Sequence, residues 1–180
     1  MRLYCLLFMV IFFSCDNSNT VFLGKFTDTA DVLKIKGGYS KLVKNEDLVI
    51  LQECLIVNSF VVNSNQKFYY GFKKKLNSKY YLITYCVKYI PLYKPTFNLW
   101  NWHDDFLCLY DVDNNKIVSK LKIHSSDPVV SRTKLEKDIY VVKSLYRRYK
   151  YNEVEDKAFF EIDSLITKYK IENNKFIELK

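Results

Sequence analysis

The residues with the most obvious chemical potential are the two histidines, which sit in His103-Asp104-Asp105 and His124-Ser125-Ser126-Asp127. An imidazole beside a carboxylate is the start of a catalytic triad or a metal site, but these segments can act together only if the fold joins them. Taken singly, an acid next to a histidine reads as a turn or a surface pair, so no catalytic residue and no metal ligand is assigned. No nucleophile elbow, zinc-protease helix motif, P-loop or dinucleotide fingerprint is present, and no cofactor is expected. Asp111-Val112-Asp113-Asn114-Asn115 gathers oxygen ligands, yet Lys116 stands where a calcium loop needs Gly and Lys122 where it needs a bidentate Glu. A hairpin turn is the reading preferred there, because Asp and Asn tolerate the left-handed backbone of such turns.

A second group of residues could bind rather than react. Tyr93, Phe97, Trp100 and Trp102 fall in one Pro-punctuated stretch that reads as a loop. Exposed rings on a loop can stack on sugars or anchor a protein partner, which makes these four the candidate ligand-binding residues. Lys73-Lys74-Lys75 with Lys79, and Arg147-Arg148-Tyr149-Lys150-Tyr151, interleave bases with aromatics, and the formal charge is +8. That pattern could follow a nucleic acid, but a solvated hairpin tip and a basic strand that resists edge pairing explain it as well. Cys54, Cys86 and Cys108 sit among apolar neighbours at spacings that match no short zinc pattern, so they read as buried residues, two of which could pair in an oxidising compartment.

The compartment is written at the start of the chain. Met1-Arg2 precedes an apolar run of 11 residues, Leu3 to Phe13, too short to span a bilayer and of the right length for a secretory leader. Ser14-Cys15 follows, and then the polar Asp16-Asn17-Ser18-Asn19-Thr20. This end, Phe12-Phe13-Ser14-Cys15, resembles the lipobox of bacterial lipoproteins, with Phe12 where Leu is commoner. The resemblance covers only about the first 20 residues. It implies that residues 1–14 are removed as a signal peptide, that Cys15 carries the lipid, that residues 15–27 form a tether, and that 28–180 is the folded part. The address that follows is the bacterial envelope, at the outer membrane or cell surface in preference to the inner membrane. The membrane is then a partner through the anchor, and nucleic acid is not expected.

These residues must be positioned by a single domain, since 180 residues hold one ordinary core. With 15 Tyr and 13 Phe against 4 Gly and 3 Pro, the composition favours pleated surfaces. A first element is expected over Val32 to Lys36, stopped by Gly37-Gly38. The run Leu48 to Val57 is read as a buried strand, although Asn45-Glu46-Asp47 could instead open a helix. Lys67 to Lys74 and Tyr80 to Tyr89 flank a basic tip and predict a hairpin covered on both faces. Phe106 to Tyr110 and Lys116 to Ile123 predict a second, half-exposed hairpin. Asp138 to Tyr151, Ala158 to Ile171 and Lys175 to Leu179 predict a closing meander. The expected fold is mainly β, one antiparallel domain with little helix: a sandwich, a curved meander or a barrel-like sheet. The function expected of it is that of a non-enzymatic binding or structural module meeting a protein or glycan of the envelope. An exported lipid-anchored hydrolase and an immunity or inhibitor protein are the alternatives.

Overall fold

Side chains alternate across a strand, so a run that is apolar at every position has both faces to bury, and the sheet of this chain is built around two such runs. The structure is a computed structural model that describes residues 21–34, 39–52, 64–91, 103–126 and 129–180. Its strands are β1 (Thr27–Asp28), β2 (Lys41–Leu42), β3 (Ser64–Lys75), β4 (Tyr80–Pro91), β5 (His103–Asp111), β6 (Lys116–Ser125), β7 (Val129–Glu136), β8 (Ile139–Asn152), β9 (Lys157–Glu172) and β10 (Lys175–Leu179). They form one sheet in the order β1-β3-β4-β5-β6-β7-β8-β9-β10, with β2 also paired to β3. From β3 onward every neighbour is antiparallel, and β1 is the parallel exception. The chain is thus mainly β, as its aromatic, glycine-poor composition predicts.

The central strands β4 and β5 carry the core on both sides. On one face Ile83, Tyr85, Val87, Phe106 and Tyr110 pack against Phe22, Leu23 and Phe26 and against Val43 and Leu51. Phe68, Tyr85 and Phe106 stack across three strands, with ring centroids 6.2 and 5.1 Å apart. On the other face Leu82, Leu107, Leu109, Leu121 and Ile123 meet Val32, Tyr140 and Val142. The sheet curls to close that second face: Phe176 on β10 donates its backbone N–H to Ser119 Oγ on β6 at 3.0 Å, and its ring meets Tyr140 edge-on.

Both predicted hairpins and the closing meander are present. Several expectations need correction. Residues Asn45–Gln52 form a helix, α1, where a strand was expected from Leu48; the acidic Glu46 and Asp47 in its first turn complement the helix dipole, and Leu48 and Leu51 share the face that meets the core. Residues 53–57 of that run lie outside the described residues. Val32 and Leu33 belong to a turn rather than a strand, pinned by the Leu33 N–H donating to Asp31 Oδ1; 35–38 are outside the described residues. The second hairpin is not half-exposed, for β5 is buried on both faces and only β6 alternates. Strand β7 was not foreseen. Phe22, Leu23 and Phe26 are buried against the sheet. Among the described residues no helix is long and apolar enough to cross a membrane.

Candidate functional site

The two histidine segments meet because the β5–β6 hairpin places them side by side. Residues i and i+2 of a strand share a face, so His103 and Asp105 point to one side and Asp104 to the other. Asp104 is a structural acid: it accepts hydrogen bonds from Tyr89 Oη at 2.9 Å and Ser125 Oγ at 2.6 Å, and Lys122 Nζ lies 2.9 Å away. The β5–β6 ladder carries two register shifts, one between Leu109 and Tyr110 and one between Asp105 and Phe106, which leave Asp105 directly opposite His124. Bulges of this kind re-aim side chains. Here the result is a cluster in which His124 Nδ1 lies 3.2 Å from His103 Nε2 and 3.3 Å from Asp105 Oδ2.

The cluster forms one wall of a pocket of about 600 Å³. The pocket opens where the sheet splits, since β6 and β7 are paired at a single position, Ser125 with Ser131. The Thr133 hydroxyl donates to Ile123 O at 2.5 Å and holds the two strands together beyond that point. Cys86 and Lys88 of β4, Arg132 of β7, and Leu33 and Tyr39 complete the wall. Tyr39 can lie there because position 71 is Gly: a Cβ would meet Tyr39 Cε1 at 2.5 Å and the Thr84 carbonyl oxygen at 2.6 Å.

A polar atom is left over in this pocket. Asp105 is 3% exposed, and its Oδ1 has no hydrogen-bond partner among the described residues. A buried polar atom without a partner costs on the order of 1 to 3 kcal/mol, which marks the place where a ligand would restore the balance. Burial, and then the charge of Asp105, push both the Tyr39 hydroxyl and the Cys86 thiol up, so both stay protonated. The mouth carries the exposed cations Lys88 and Arg132.

The other candidates fall elsewhere. Cys15, the signal peptide, Cys54, and the aromatic quartet Tyr93, Phe97, Trp100 and Trp102 lie outside the described residues. Cys86 and Cys108 are buried and form no disulfide among the described residues. The 111–115 segment is the predicted turn: Asp111 accepts from the Asn114 N–H at 3.1 Å and from Asn114 Nδ2 at 2.8 Å, and Lys79 lies within 3.7 Å of both Asp111 and Asp113. The basic hairpin tip is partly spent on internal contacts, since Lys73 donates to Leu23 O. Sequence reasoning assigned neither Tyr39 nor Arg132 to a site, and it read His103 and His124 apart. Comparison with known proteins finds nothing similar: no family model, no curated protein and no solved structure matches the chain.

Proposed function

We propose that this chain is a lipid-anchored binding module of the bacterial envelope that takes its ligand in the pocket between β4, β5, β6 and β7. The anchor rests on the leader and Ser14-Cys15. The binding role rests on one observation above the others: a concave site holds a buried carboxylate oxygen, Asp105 Oδ1, that no described residue satisfies. Ligand sites are concave and largely preformed, with a few convergent polar groups, and this one stands on strands rather than loops. Native mass spectrometry of the full chain extracted from membranes tests the reading. A non-covalent adduct should be retained by the wild type, released on denaturation and absent from Asp105→Asn. A chain that carries no adduct in either form counts against it.

An exported hydrolase is the second reading, favoured by the contact between His124 and Asp105 in a pocket edged by Lys88 and Arg132. It requires turnover of a simple ester or phosphoester that disappears in His124→Ala. Binding without turnover supports the module.

A further inference from the structure

We propose that His103, Asp105 and His124 form a divalent transition-metal site, ligating Zn²⁺ through two imidazole nitrogens and one carboxylate oxygen and leaving the last position open to the pocket. The inference deepens the reading of the same pocket by naming its ligand.

Geometry carries the argument. The ligand atoms of these three residues all lie within 4.8 Å of one another, and Cys86, on the same wall, does not belong to the set. Zinc holds imidazole nitrogen and carboxylate oxygen at about 2.0 to 2.2 Å, and the edge of a tetrahedron is about 1.6 times its centre-to-corner distance, so neighbouring ligand atoms stand about 3.3 to 3.6 Å apart in a filled site. Two of the three edges are 3.2 Å and 3.3 Å, and all three ligand atoms lie within 4.8 Å, so small side-chain rotations bring them onto one ion.

Proton accounting points the same way. His124 Nδ1 faces both His103 Nε2 and Asp105 Oδ2, and a ring nitrogen offers either one proton or one lone pair. A proton on Nδ1 is shared poorly between two acceptors, and without it the Nδ1 lone pair, even when His103 Nε2–H donates to it, still faces a carboxylate oxygen. A cation at their centre serves all three. The unpartnered Asp105 Oδ1 leaves the carboxylate able to turn or bind through both oxygens. The main chain beneath the site is tied down as well: the His103 backbone N–H donates to Ser126 Oγ at 2.7 Å and the Ser126 backbone N–H donates to the His103 carbonyl at 2.9 Å. Two histidines and one carboxylate with an open position are the set used by catalytic metals rather than by closed structural sites.

The full chain, purified in detergent and stripped with a chelator, should bind one equivalent of Zn²⁺ in competition with a chromophoric chelator. Co²⁺ in its place should give the intense visible bands of a tetrahedral ion without a thiolate charge-transfer band. Because the chain has only two histidines, the site has no substitute. Asp105→Asn, His103→Ala and His124→Ala should each weaken Zn²⁺ at least about 100-fold, the upper end of what loss of a merely supporting residue costs. Asp105→Asn keeps the shape of the side chain, and its circular dichroism shows whether the fold is intact. Binding unchanged in a folded Asp105→Asn, a thiolate band, or no stoichiometric Zn²⁺ overturns the site. If Zn²⁺ fails while a native adduct persists, the pocket stands and the metal falls; stoichiometric Zn²⁺ without an acyl chain on Cys15 keeps the metal and removes the anchor.

Discussion

Lys25 and Asp47 form the most consequential ion pair of the covered face. The ammonium sits 2.6 Å from Asp47 Oδ2 and 2.9 Å from Glu46 Oε1, and both Lys25 and Asp47 side chains are 8% exposed. Tyr70 Oη also donates to Asp47. Burial alone would pull the lysine down; the hydrogen bonds it donates to Asp47 and Glu46 outweigh it and push the group to about 12. Asp47→Ala removes the buried partner of Lys25 and the acceptor of Tyr70 and leaves Lys25 only the exposed Glu46, so it should lower the urea midpoint by more than Lys44→Ala at the exposed rim, which should change stability by less than about 1 kcal/mol. At this scale the histidine cluster was partly legible. The turn at 111–115 was recognised, and counting back from the observed pair Asp111 with Lys116 along an ideal hairpin sets His103 opposite His124. What sequence does not encode visibly is the pair of bulges that bring Asp105 into line with His124.

At the scale of elements, hairpins marked by Asn and Asp were readable because those residues accept positive φ. Asn115, Asp156, Asn173 and Asn174 all adopt it, the last two as a two-residue turn joining β9 to β10. The β7–β8 turn has the same shape but is Lys137-Asp138, with φ of 47° and 67°. Lysine carries no signal for that conformation, which is why β7 went unseen. Left-handed backbone costs an ordinary residue about 1 to 2 kcal/mol, so Lys137→Gly should stabilise the protein, by about 1 kcal/mol after the entropy of glycine is charged against it, and raise the urea midpoint. The helix α1 was misread for a different reason. Val49 and Ile50 are β-branched and the run to Leu51 is apolar, but Val49 is 63% exposed while Leu51 is fully buried, and packing of Leu48 and Leu51 on one core face overrides local preference.

The molecule as a whole is a curled sheet whose two faces are buried by different means: residues 22–26 and α1 over one, the return of β8, β9 and β10 over the other. The meander was legible because each hairpin repeats period two, whereas the curl was not, since it depends on a contact between Ser119 and Phe176 that no local pattern specifies. The same packing sets the pH range of the fold. Burial, with its acidic neighbours, raises Tyr70, Tyr110 and Tyr140 from 10.0 to about 12, and Lys25 is raised to about 12 from 10.5. In each case the folded chain holds its proton more tightly than the unfolded one. Their contribution is therefore complete below about pH 9 and is lost as pH rises through 10 towards 12. Urea midpoints should be flat up to about pH 9 and fall steeply above 10, together with the appearance of tyrosinate absorbance; a midpoint unchanged at about pH 11 would contradict the burial of these rings.

The proposed lipid anchor outside the cytoplasm is decided by the mass of the first residue of the native β-domain. A diacylglyceryl group with an amide-linked chain supplies the two signals that stable anchoring needs, each buried methylene adding about 0.8 kcal/mol. Intact-mass and peptide mass spectrometry of the native protein from bacterial membranes should therefore find a chain beginning at Cys15 and carrying acyl groups, and Cys15→Ser should leave the precursor or a soluble form. A native protein that begins at Met1, or whose Cys15 is an unmodified thiol, would contradict the account.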